Sequence, residues 1–184
     1  ANVKGKPDYR TGPPHKEARQ KLKFMAALQF LLPGAPYIYY GSEAGMWGAD
    51  DPDCRKPMLW PNTIYDDETF LPTQEKTSPV KVAFDVELHK FYQALCSLRR
   101  NRAVWRRGNF QILSTGERWF AFSRKLGTEG AIVVVNGGKS SLRVPASRFI
   151  SDGDRAYSLL SPTHPRGVEP AADLVVDPLG IVIL

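Results

Sequence analysis

The chain has 184 residues, of which 42% are hydrophobic and 24% charged, and it carries a net charge of +6. That length supports one core or two small ones, and the composition is that of an ordinary globular protein. No apolar run approaches the 18 or so residues of a membrane span, and two cysteines, Cys54 and Cys96, are too few for a disulfide scaffold or a four-cysteine metal site.

The first twenty residues are polar, lack the apolar stretch of a signal peptide and begin without Met. They read as the start of a processed chain or of a piece of a longer one, which leaves periplasmic, extracellular and cytoplasmic locations all open. From about Pro14 to Leu32 a helix is expected: Pro13 and Pro14 suit its first turn, and His15 to Leu32 contains no Gly or Pro. Ala18, Leu22, Met25, Ala26 and Leu32 recur at helical spacing, and the second half turns apolar almost all round, as in a deeply packed helix. Pro33-Gly34 stops it.

Ala35 to Gly41 (APYIYYG) is a short aromatic and β-branched run closed by glycine, the pattern of a fully buried parallel strand. Helix, tight turn and buried strand form the second half of a βαβ unit. Its partner strands must come from sequence outside this chain. The stretch from about Ser42 to Phe84 shows no strong periodicity and is rich in Pro, Asp and Gly. A structureless loop of about 40 residues is uncommon and is usually functional or disordered. Trp47, Met58, Leu59, Trp60 and Tyr65 argue for order in its first part, and Thr73 to Ser78 reads as mobile.

A second helix is expected from about Asp85 to Arg100, with Asp85 as N-cap and Arg99 and Arg100 in the last turn. Val86, Leu88, Phe91, Tyr92, Leu95 and Leu98 form its apolar stripe, and Cys96 reads as a core position, which argues against a Cys54–Cys96 bridge. Arg99, Arg100, Arg102, Arg106 and Arg107 around Trp105 have the residue types of a nucleic-acid contact, but no zinc-finger or RNA-binding motif accompanies them. The better reading is a helix C-terminus and linker, with no nucleic-acid partner. From Asn109 the pattern changes to short strands at 110–113, 119–124, 131–135, 141–144, 157–160, 174–176 and 180–184, separated by turn signals. That implies a small antiparallel sandwich or barrel.

In a (β/α)8 barrel, the loops after the strands carry the active site. The loop after 35–41 holds Asp50, Asp51, Asp53, Arg55 and Lys56 between Trp47 and Trp60. Carboxylates and guanidinium groups that fork onto hydroxyls, beside aromatic rings, suit a sugar. An ordinary salt bridge in a loop has the same composition.

The segment GAPYIYYGSEAGMWGADDPDCRKPMLW closely resembles the eighth-strand region and following loop of the α-amylase family, glycoside hydrolase family 13. It is most similar to the branch of neopullulanases, cyclomaltodextrinases and maltogenic amylases. The resemblance implies that residues 1–102 are the tail of a (β/α)8 barrel, comprising its last strand and last two helices. Residues 103–184 would then be a C-terminal antiparallel β-sandwich. It also implies an α-glucan substrate, a retaining mechanism without cofactor or metal, and a homodimer as one candidate assembly. By the same resemblance Asp51 and Arg55 contact a glucose unit on the non-reducing side of the cleavage point, with Trp47 as a third substrate-binding candidate. Glu43 would be structural. Ser42 stands where the family usually has Asp.

The family's Asp nucleophile, Glu acid/base and second Asp correspond to strands that precede this segment. No catalytic residue is therefore assigned, and the isolated chain is expected to be inactive on glycosides. His15, His89 and His164 have no nucleophile beside them in sequence. An alternative is that the β-rich part is a non-catalytic carbohydrate-binding or interaction module. Bond preference, α-1,4 or α-1,6, stays open.

Overall fold

The computed structural model describes residues 12–48, 51, 53–71, 74–149, 155–158, 166–167 and 173–184. The expectations attached to Asp50, Thr73, Leu159, Leu160 and His164 fall outside these residues. Two compact units are present. One comprises Ala1–Arg19 and Tyr37–Ala94, the other Gln20–Pro36 and Leu95–Leu184.

The helices α1 (Lys16–Leu31) and α2 (Val86–Asn101) lie where the periodicity places them. Asp85 is the N-cap of α2: its Oδ1 accepts the Leu88 N–H at 2.9 Å, satisfying one of the orphan donors of the first turn. In the first unit the other Asp85 oxygen pairs with Arg19, and the Asp85 N–H donates to the Ala44 carbonyl at 2.9 Å. Gly45 makes this approach feasible, since a Cβ there would lie 2.6 Å from that of Asp85.

Several expectations are corrected. Residues 35–41 form no ladder, and Tyr37, Tyr39 and Tyr40 are exposed, because no strand among the described residues lies alongside to accept them. Met25 and Val86 are exposed, so the buried faces are narrower than the sequence stripes. Phe24, Ala27, Phe30 and Leu31 carry that of α1, and Leu88, Tyr92 and Leu95 that of α2. Cys96 sits one position past Leu95, off that face, and is exposed; both cysteines are free thiols. The 42–84 stretch holds an antiparallel hairpin, β1 (Glu68–Phe70) with β2 (Lys76–Val80), so part of the segment read as mobile is a strand. The 102–108 linker contains a one-turn helix, α3 (Val104–Arg107), whose Val104 and Trp105 are fully buried.

The second unit is built on strands β3 (Asn109–Thr115), β4 (Trp119–Leu126), β5 (Glu129–Asn136), β6 (Leu142–Pro145), β7 (Arg155–Ser158), β8 (Arg166–Gly167), β9 (Asp173–Val176) and β10 (Gly180–Ile183). Their order is β3-β4-β5-β10-β7-β8 in one antiparallel sheet, with β6 and β9 paired separately. Alternation splits the central strands between two cores. Ala121, Val134 and Val182 join Val144, Leu174 and Val176 of the β6–β9 ladder in one cluster. Phe122, Val133, Val135, Ile181 and Ile183 are buried on the opposite face, where α3 packs on β4 and β5. Burial on both faces explains why β5 reads as an unbroken apolar run rather than an alternating one.

Arg124 of β4 lies on that second face and is 1% exposed. Its guanidinium donates to Leu31 O at 2.7 Å, Gly108 O at 3.0 Å and Asn109 O at 3.1 Å. Burial, and after it the charge of Arg99, press it below the usual arginine range, yet an arginine keeps its proton in proteins. Arg124→Met retains the volume but strands three carbonyls, so a loss of about 3 kcal/mol is expected. Urea unfolding of the full chain checks this, and a change below about 1 kcal/mol would contradict the role.

Candidate functional site

The loop after residues 35–41 is shaped by glycines. Gly41 has φ +82°, and a Cβ there would collide with the Met46 side chain. The Gly41 carbonyl accepts the N–H groups of Ala44 and Met46 at 3.1 and 2.9 Å, turning the chain sharply. Further along, the missing side chain of Gly48 lets the backbone fold back. A Cβ there would lie 2.4 Å from the Asp53 carbonyl oxygen. The returning strand is the 3-10 turn Asp53–Arg55.

This reversal brings Arg55 onto Asp51, with Nη2 to Oδ1 at 2.7 Å; the side chains are 63% and 56% exposed. The two expected substrate residues are therefore adjacent and open to solvent. Trp47, the third, lies elsewhere in the loop. Lys56 Nζ sits 4.1 Å from its ring centroid, a cation–π contact, and both residues line a cavity of about 430 Å³ to which Asp51 and Arg55 do not contribute. Trp60 is exposed, with its backbone N–H donating to the Tyr65 hydroxyl at 2.6 Å.

Lys56 is the pivot of that cavity. Its ammonium donates to both Glu68 carboxylate oxygens, at 2.7 and 2.9 Å, tying the loop to β1. Asp53 follows at 3.9 Å. Reading the sequence includes Lys56 in the charged cluster but passes over Glu68. No spacing rule links positions twelve apart across an irregular loop. Only the acidic run Asp66-Asp67-Glu68, opposite a basic pair, hints at it.

Glu43 lies inside the first unit. Its Oε2 is buried without a hydrogen-bond partner, and burial, with Glu43 nearby, raises the Tyr92 phenol above its usual range. No nucleophile pairs with it among the described residues, and no group of three or more His, Cys, Asp or Glu there could hold a metal. His89 packs its ring on Phe84, with centroids 5.1 Å apart. No helix among the described residues is long and apolar enough to cross a membrane.

Residues 9–108 match the family described as "Alpha amylase, catalytic domain". The chain belongs to the α-amylase family. Among its relatives, the cyclomaltodextrinase of Thermoanaerobacter pseudethanolicus is 35% identical over 116 residues, covering 63% of this chain and 17% of that protein. Neopullulanase 2 of Thermoactinomyces vulgaris is 34% identical over 137 residues, covering 71% of this chain and 20% of that protein. The α-amylase of Anoxybacillus superposes with a TM-score of 0.67 at 23% identity, over 91% of this chain and 32% of that one. At that identity the likeness speaks for the fold alone. The chain thus spans a fifth or less of the length of these two curated relatives.

The two ion pairs of the loop differ in exposure, and so in what they contribute. Arg55→Ala is expected to change stability by no more than about 0.5 kcal/mol, since the pair is solvated. Glu68→Gln removes the closest charge partner of the Lys56 ammonium, 22% exposed, leaving it the carboxylate of Asp53 at 3.9 Å, and is expected to cost about 1–2 kcal/mol. Parallel thermal unfolding of the two variants decides it; equal losses would contradict this division.

Proposed function

We propose that this chain is part of a retaining glycoside hydrolase of the α-amylase family that acts on α-glucans, with Asp51 and Arg55 gripping a glucose unit on the non-reducing side of the cleaved bond. The carrying observation is the solvent-open Asp51–Arg55 pair, held by a glycine-shaped loop within the residues that match the family. A guanidinium offers five N–H donors in a planar fork, so an Arg55 anchored on Asp51 can still donate to adjacent sugar hydroxyls. The carboxylate fixes its direction, which lowers the ordering cost of binding.

In this reading residues 1–102 are the closing part of a (β/α)8 barrel and residues 103–184 a C-terminal β-sandwich. Two observations support the division: α2 ends at Asn101, and the sheets that share a core begin at Asn109. Segment 35–41 is then the last barrel strand, and its exposed tyrosines are the surface the other strands would cover. Trp47 supplies apolar area to the substrate from the cavity side of the loop. The relatives named cyclomaltodextrinase and neopullulanase favour an α-glucan over other glycosides. The Asp nucleophile, Glu acid/base and second Asp of a retaining mechanism are assigned to no residue of this chain, so by itself it binds but does not cleave.

The full 184-residue chain is expected to release no reducing sugar from maltoheptaose and to bind it weakly. Arg55→Ala should weaken that binding roughly tenfold, the effect of a lost charged hydrogen bond. Calorimetry and a reducing-sugar assay measure both. Hydrolysis by the chain alone, or unchanged affinity in Arg55→Ala, would overturn the assignment.

A further inference from the structure

The cavity beneath Trp47 is a second feature of the loop, separate from the Asp51–Arg55 pair. We infer that it is a saccharide subsite of its own, taking one neutral hexose unit between the Trp47–Lys56–Glu68 cluster and an apolar wall that includes Leu59 and Phe70. The choice of a saccharide rests on the glucan reading above; the exclusion of an anionic ligand comes from the cavity.

Its size, about 430 Å³, falls within the range of small-molecule sites, which combine apolar walls with a few placed polar groups. The walls are apolar and aromatic, with Met46, Leu59, Phe70 and Val82 beside Trp47. The charged groups are one ammonium, Lys56, and three carboxylates, Asp53, Asp66 and Glu68, with Tyr65 and Gln74 as further polar residues. A phosphate or carboxylate would meet an excess of negative charge, and the cation it needs is already held by both oxygens of Glu68. Anions are disfavoured on both counts. A sugar hydroxyl has no such conflict, because it donates and accepts at once.

Lys56 and Glu68 form a donor and an acceptor side by side. Two of the three ammonium protons go to Glu68, and Asp53 at 3.9 Å lies beyond hydrogen-bond distance. The third proton can go to a ligand oxygen while the Glu68 carboxylate accepts the neighbouring hydroxyl. This is the pairing that adjacent hydroxyls present. Trp47 and Phe70 offer rings to the apolar C–H face of the same unit. Lys56 also contacts the Trp47 ring, so the polar and apolar halves of the site are held in register before any ligand arrives.

The test is nuclear magnetic resonance of the full chain, following the Trp47 indole N–H signal, assigned by its loss in Trp47→Phe. Maltotriose, inorganic phosphate and tetramethylammonium are the probes. Maltotriose is expected to move that signal at millimolar concentration, and phosphate and tetramethylammonium to leave it in place. Glu68→Gln should weaken the Kd read at Trp47 roughly tenfold. Phe70→Ala keeps the Lys56–Glu68 bond and removes part of the apolar wall; it should weaken the Kd about threefold.

If maltotriose shifts signals at Asp51 and Arg55 but not at Trp47, the subsite is refuted and the glucan reading stands. If it shifts neither, both fall. A Trp47 response to tetramethylammonium or phosphate instead would assign the cavity to an ion and overturn the proposal.

Discussion

The C-terminal end of α1 is where the second unit is tied together, and there charge adds to the apolar burial of Ala27, Phe30 and Leu31. A helix ends with unpaired carbonyls and the negative pole of its dipole. α1 has no basic residue in its own last turn. The positive charge comes from two distant arginines. Arg99 of α2 donates to Phe30 O at 2.6 Å, Leu32 O at 3.3 Å and also to Gly34 O, while Arg124 of β4 takes Leu31 O. One guanidinium thus anchors the helix end to α2 and the other to the central sheet. Neither hydrogen-bonds a carboxylate in these contacts; the dipole and carbonyl oxygens offset their repulsion. That balance explains why burial lowers both arginines below their usual range without neutralising them.

Much of the rest follows from this tie. Arg124 also binds Gly108 O and Asn109 O, which sets where the chain leaves α3 and enters β3. Arg102 pairs with Glu129 at 2.9 Å, and the Val104 N–H donates to the same carboxylate at 3.3 Å, fixing α3 over the start of β5. The basic run from Arg99 to Arg107 is therefore largely spent on carbonyls and one glutamate. Arg106 likewise donates to the carbonyls of Arg99 and Arg100.

How much of this was legible depended on whether the signal was local. The two helices, the Asp85 cap and most strands of the second unit were readable, because periodicity, capping and turn residues act within a few positions. Local signals were also enough to bring Asp51 and Arg55 together, since they lie four residues apart in a motif with family precedent. Arg124 was not legible as a buried residue. At the end of an alternating strand it looks like any solvent-facing arginine, and only the arrival of Leu31 from 93 positions away changes its meaning. The hairpin β1–β2 was hidden by its shortness, by Pro79 within β2, and by a polar sequence whose stabilising bond, Lys56 to Glu68, crosses an irregular loop. Residues 35–41 show the opposite case. The strand pattern is strong, but a pattern specifies burial only where something is present to bury against.

That last segment has a practical consequence for the chain on its own. Tyr37, Tyr39 and Tyr40 present exposed aromatic surface on a segment that carries no charged residue, the kind of patch through which chains associate. Colloidal behaviour, rather than resistance to melting, is then the property most exposed to changes there. A charge introduced in that segment would alter how the protein tolerates concentration and storage.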